Sequence, residues 1–142
     1  QIPADRAEHY AAAYRAYQAS DYSRSRALFR EYVVRYAQDD NADNAQYWIG
    51  EGYFAKSEFK KSIAEFQKVV DRYPQSEKKC DAMLKQGFAF AELNDTANAK
   101  LFLAARNRQV AAAHDRKPSA RFHSDQCPSI PQGSQHRRAQ HQ

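Results

Sequence analysis

The sequence predicts an all-α fold, a superhelix of three antiparallel helix hairpins with an irregular or disordered C-terminal tail. Three observations lead there. The chain matches itself at an offset of 37 residues, a period that points to stacked supersecondary units. Within each unit the apolar residues recur at helical spacing. Only four Gly and five Pro occur among 142 residues, which favours long elements over a turn-rich β protein.

The offset aligns residues in triplets. Tyr10, Tyr47 and Leu84 coincide, as do Ala13, Gly50 and Gly87, and Ala16, Tyr53 and Phe90. Tyr22, Phe59 and Thr96 follow, then Ser25, Ser62 and Ala99, then Phe29, Phe66 and Leu103. Asp21, Glu58 and Asp95 mark the same turn each time. Large residues match large and small match small, as close helix packing requires.

Each unit reads as a first helix, A, and a second, B. The predicted spans are 4–19 and 22–37, 43–56 and 58–73, then 77–93 and a last helix from 95. In the middle unit Ile63, Phe66, Val69, Val70 and Tyr73 form one apolar stripe. Phe29, Tyr32, Val33 and Tyr36 repeat most of it one unit earlier. Asp43 with Gln46 has the spacing of a capping box, and Ser57 and Ser76 are expected as N-caps. Pro74 ends a helix because it cannot donate the next hydrogen bond. The repeat domain is therefore expected over 4–113 with its third unit incomplete, and a disordered or non-native tail over 114–142. No hairpin of this kind buries its apolar face alone, so neighbours must stack.

The run from Ala45 to Lys56, with Gly50 and Tyr53, continued by Phe59, Ser62, Ile63, Phe66 and Tyr73-Pro74, resembles a tetratricopeptide (TPR) repeat. Ser62 stands where that family usually has Ala, a small-for-small change. More narrowly, Ala42-Asp43-Asn44-Ala45-Gln46-Tyr47-Trp48 followed by Ile49-Gly50-Glu51 resembles the C-terminal TPR domain of the CpoB (YbgF) family of Tol-Pal-associated periplasmic proteins. The resemblance spans about 10–103. It implies a periplasmic, non-enzymatic scaffold for protein–protein interaction in cell division, with TolA and a peptidoglycan synthase as partners. Two other settings stay open: a TPR module of an outer-membrane assembly or motility complex, and a targeting domain of a larger enzyme whose catalytic region lies elsewhere.

TPR superhelices take partner segments on the concave face lined by A helices. Mapped through the offset, that face is expected to present Tyr10, Tyr14 and Tyr17 from the first unit. The second adds Tyr47, Trp48, Glu51 and Phe54, and the third Leu84, Lys85, Phe88 and Glu92. Rigid amphipathic rings are enriched at binding hot spots. Lys85 is the one mapped cation, so the groove does not match a clamp for a C-terminal carboxylate, and an apolar segment fits it better.

Composition narrows the remaining classes. The net charge of +5 invites nucleic acid, but seven basic residues and two acids lie after Ala104. That leaves 15 basic and 15 acidic residues in 1–103 from totals of 22 and 17, so the repeat region is neutral and no nucleic-acid partner is expected. No run approaches the roughly 20 apolar residues of a membrane span. The chain starts without Met and without a signal-peptide pattern, so a mature or excised fragment is expected. Cys80 and Cys127 are expected as free thiols, and His123 with Cys127 lacks the further ligands of a metal site. His9 is expected at a solvated or interface position. No catalytic motif appears, so no catalytic residues, cofactor or metal are expected. The apolar stripe breaks at Arg106 and Asn107, and Pro118, Pro128 and Pro131 follow among Gln, Ser, Arg and His. A stack that ends without a solvating helix would be covered by another subunit, as in a homo-oligomer, or the sequence after about 104 would be a non-native reading frame.

Overall fold

The computed structural model describes residues 2–114, with side chains described to residue 105. Among them are six helices and no strand. They are α1 (Arg6–Gln18), α2 (Tyr22–Arg35), α3 (Ala42–Ala55), α4 (Phe59–Arg72), α5 (Lys78–Glu92) and α6 (Thr96–His114). Each helix packs on the next, and α3 also meets α5, the relation expected of successive A helices in a stack. The first five helices end one or two residues inside the predicted spans, because their last turns close into caps. The one that runs on is α6, which stays helical through Arg106 and Asn107 to His114. Residues 115–142 lie outside the described residues, and with them the expectations for the tail, for Cys127 and for His123.

The repeat is visible in the backbone as well as in the sequence. Ser20, Ser57 and Asn94, spaced by the same 37 residues, all lie in the left-handed region, with φ of 62°, 59° and 59°. At each, the N–H of the following residue returns to a carbonyl five positions back: Asp21 to Ala16, Glu58 to Tyr53, Asp95 to Phe90, at 2.9, 3.0 and 2.9 Å. This double-bonded C-terminal turn satisfies carbonyls that the helix leaves open and reverses the chain within two residues. Ser57 is therefore not the expected N-cap; it is the left-handed residue that closes α3.

The expected capping box is also absent. The N-cap of α3 is Asn41, and Asp43 sits within the first turn, where its Oδ2 accepts from Ser76 Oγ. Gln46 instead points across the hairpin, donating to the carbonyl and the carboxylate of Glu65 at 3.0 and 2.8 Å. Ser76 does receive the N–H of Lys78 at 2.9 Å, although Glu77 occupies the N-cap position itself. Asp21 and Asp95 accept from Arg24 and Asn98 N–H groups and so cap α2 and α6.

Three apolar clusters run along the stack. The first holds Ala13, Leu28, Phe29, Tyr32, Ala45 and Ile49. The second holds Tyr47, Phe66, Val69 and Ala82, and the third Met83, Phe102 and Ala105. The first two clusters draw residues from adjacent hairpins, and Val70 of α4 packs against the third, which is why the hairpins depend on one another. Close approach is bought by small residues at the crossing. A Cβ on Gly50 would stand 2.7 Å from the Phe66 ring, and one on Gly87 would stand 3.0 Å from Leu103. Ser25 and Ser62 hydroxyls donate to Ala13 and Gly50 carbonyls, both at 3.0 Å, fastening the same crossing in the first two units. His9, expected at a solvated or interface position, is fully buried inside the first hairpin. Its Nε2 lies 2.7 Å from the Leu28 carbonyl oxygen, and its ring stands edge-on to Tyr32 and Tyr36.

Candidate partner-binding face

The A helices α1, α3 and α5 bring most of the mapped residues to one side, but at different depths. Tyr10 is half-buried, edge-on to Phe29 and Tyr32, and its hydroxyl accepts the Trp48 Nε1–H at 3.1 Å. Trp48, also half-buried, then meets Tyr14 at 5.1 Å and Tyr17 at 4.8 Å between ring centroids. These offset and edge-on contacts build one aromatic wall across the α1–α3 seam. Tyr47 is buried against Phe66 in the second core cluster.

Tyr14, Glu51 and Phe88 occupy the same repeat position in successive A helices. Tyr14 is 36% exposed and Phe88 43%, while Glu51 between them in register is 8% exposed. Lys85 Nζ lies 3.3 Å from Glu51 Oε1 and 4.8 Å from the centre of the Phe54 ring, so it neutralises the carboxylate and rests on an aromatic face. Leu84 is half-buried, and Glu92 is exposed at the last residue of α5.

The phenols of Tyr17 and Tyr47 both hydrogen-bond to the Glu51 carboxylate. Burial pushes the Tyr17 hydroxyl up to about 12, and the nearby Glu51 charge adds to the shift. Tyr47 is driven upward by the same two causes in the same order. Both phenols therefore remain neutral donors to Glu51 through the physiological range.

Sequence reasoning missed the ionic partners of this face. Lys78 lies 4.9 Å from the centre of the Tyr47 ring and 3.9 Å from Asp81. It also missed a second aromatic–cation cluster: Arg26 lies 4.1 Å from the centre of the Tyr53 ring, and Arg30 donates to the Tyr53 hydroxyl at 2.7 Å while pairing with Glu65 at 3.1 Å. The signal was available for Arg26, since Gly52 leaves the space its side chain fills, with the arginine Cγ 3.0 Å from where a Cβ would stand.

The described residues include no group of three or more His, Cys, Asp or Glu placed to hold a metal ion. No helix among them is long and apolar enough to cross a membrane. Cys80 is half-buried. Stacked helix hairpins with a ring-lined A-helix face define the class of helical-repeat interaction modules. Residues 44–76 and 81–105 match the family model for the tetratricopeptide repeat, which supports that family for these two segments. The unmatched first hairpin carries the same left-handed turn and the same serine bond across its crossing. No curated protein matches the chain. Repeats of this family are in general modules for protein–protein interaction, typically without catalysis.

Proposed function

We propose that the chain is a periplasmic scaffold that captures segments of partner proteins on its A-helix face, with no bond chemistry. The observation that carries this is the exposure of Tyr14, which meets the Trp48 ring of the aromatic wall, and of Phe88 at the same repeat position on α5. Large rings left open at one repeat position, above a rigid aromatic support, are suited to anchor a partner at low entropic cost. The resemblance of the segment around Trp48 to the CpoB family gives the partners: TolA and a peptidoglycan synthase, in the coordination of outer-membrane constriction with septal wall synthesis.

Titration of purified TolA and of the synthase against the protein, read by calorimetry, tests this. Saturable binding that weakens in Tyr14→Ala and Phe88→Ala is the expected result. Binding to neither partner, by a protein that stays folded, would remove the cell-division role.

A further inference from the structure

The centre of the A-helix face holds a feature that a purely apolar groove does not need. At the shared repeat position the first and third units place rings, and the second places a carboxylate. Glu51 is only 8% exposed, and its buried Oε1 faces the Lys85 ammonium at 3.3 Å. A buried carboxylate costs desolvation that a ring in its place would not, and the flanking units show that the position accepts rings. What offsets the cost is Lys85, whose ammonium sits between that oxygen and the Phe54 ring. A cation held between a carboxylate and an aromatic face is a recognised mode of ammonium and guanidinium binding. Lys85 is the more accessible member, with its side chain 28% exposed against 11% for Glu51. Its four-carbon stem is flexible and its head regains hydration on leaving.

We propose that Glu51 and Phe54 form a cation subsite that Lys85 fills in the free protein, and that a partner segment docks by placing a lysine or arginine side chain there instead. The subsite rests on the reading of this face as a partner-binding surface and gives that partner its chemistry: an apolar segment interrupted by one basic residue. Tyr14 and Phe88 then take the apolar flanks, and Tyr17 and Tyr47 hold the carboxylate in place from behind. Lys85 acts as an internal competitor that an incoming basic side chain must displace, so it lowers the advantage of a basic segment without abolishing it.

The chain has a single Trp, and Trp48 touches Tyr14 and Tyr17, so its fluorescence reports occupancy of the face. The probes are N-acetylated, C-amidated pentapeptides with leucine and phenylalanine flanks and lysine, norleucine or glutamate at the centre. The lysine peptide is expected to bind about tenfold tighter than the norleucine peptide. The gap widens in Lys85→Met, where the competitor is gone, and closes in Glu51→Gln. Should Lys85→Met fail to fold by circular dichroism, the native protein and Glu51→Gln decide the matter. If norleucine binds as well as lysine to the native protein, the cation subsite is wrong while the groove stands. Binding of none of the three peptides overturns the subsite, and the groove is then judged separately by the TolA and synthase titrations.

Discussion

His9 and Gln46 sit one repeat apart and make the same bond. The His9 Nε2 lies 2.7 Å from the carbonyl oxygen of Leu28, and the Gln46 Nε2 donates to the carbonyl of Glu65 at 3.0 Å. Because the acceptor is a carbonyl, the imidazole carries its proton on Nε2, and Nδ1 is left buried without a partner. In the third unit the equivalent pair is Met83 with Phe102, both in one apolar cluster. One crossing point is thus solved three ways: imidazole to carbonyl, amide to carbonyl, and thioether with a ring. His9→Gln is therefore expected to keep the bond and stay within about 0.5 kcal/mol of the native unfolding free energy. His9→Leu gives up the bond and should cost about 1 kcal/mol in a urea titration. Equal loss in both variants would show that ring packing against Tyr32 and Tyr36 is what matters.

The left-handed residues give a second prediction, of opposite sign. Ser20 and Ser57 hold φ near 60°, where a Cβ is disfavoured and Gly is not. Ser20→Gly and Ser57→Gly should each raise stability, by about 0.5 kcal/mol once the greater freedom of Gly in the unfolded chain is subtracted. Asn94→Gly should gain less, because Asn tolerates this region. Thermal melts of the three variants check the ranking. A drop in midpoint for Ser57→Gly would mean that the serine side chain contributes more than its backbone costs.

These cases show where the sequence was readable. The period of 37 residues set the fold, because it matched small residues such as Ala13, Gly50 and Gly87 at the helix crossings. It also placed Tyr14, Glu51 and Phe88 in one row. Depth was harder to read. His9 read as a solvated or interface residue because a polar ring gives no sign of a carbonyl waiting across the hairpin, a partner 19 residues away. Gln46 looked like a cap for the same reason, since local spacing cannot show that its amide is claimed by Glu65. Ser57 was misassigned because serine is a common N-cap, whereas here the left-handed turn ends α3 one residue before the next helix can be capped. Lys85 was legible as a cation on the face but not as one already paired, since its partner Glu51 lies on another hairpin.

Stability should fall at both ends of the pH scale, through different residues. Asp39 is held below its ordinary value of 3.8, mainly by the hydrogen bond from the Tyr32 hydroxyl. A depressed carboxyl contributes stability that is present above the unfolded value and lost as the pH falls through the folded one. The first hairpin should therefore weaken as the pH drops below 3.8, and Tyr32→Phe should flatten that slope. Tyr17 behaves in the reverse sense. Its folded value of about 12 exceeds the ordinary 10.0, so its contribution is intact below 10.0 and disappears between there and about 12. Denaturant midpoints across both windows, for the native protein and for Tyr17→Phe, separate the two. An unchanged alkaline slope in Tyr17→Phe would assign the loss to other groups.

Gly50 tests the packing of the middle unit. A Cβ there would meet three carbons of the Phe66 ring at 2.7 to 2.9 Å, and that ring is fully buried. Gly50→Ala gains roughly 1 kcal/mol of helix propensity. Overpacking typically costs about 1–3 kcal/mol and should outweigh that gain. The double variant with Phe66→Leu, which removes the ring, should be less destabilised than the sum of the two single changes. Strict additivity in a chemical-denaturation cycle would mean that the helices separate to admit the methyl group, with little help from Phe66.

Tyr14 and Phe88 should separate binding from folding. Both are among the exposed large apolar residues, yet more than half of each is covered and Tyr14 meets the Trp48 ring, so replacing either by Ala should cost about 1 kcal/mol, well short of a core deletion. Phe66→Ala, by contrast, empties a fully buried site in the second core cluster and should cost about 3–5 kcal/mol. If the A-helix face anchors a partner, the two surface variants should weaken its binding by about 1–2 kcal/mol each while still unfolding cooperatively well above the assay temperature. The two rings also belong to different hairpins. A partner laid across the stack should feel both losses, and a partner confined to one end should feel only one. Calorimetric titration of the single and double variants distinguishes these arrangements. Native affinity in the double variant would place the interface away from Tyr14 and Phe88, on a side such as the one where Arg26 and Arg30 surround Tyr53.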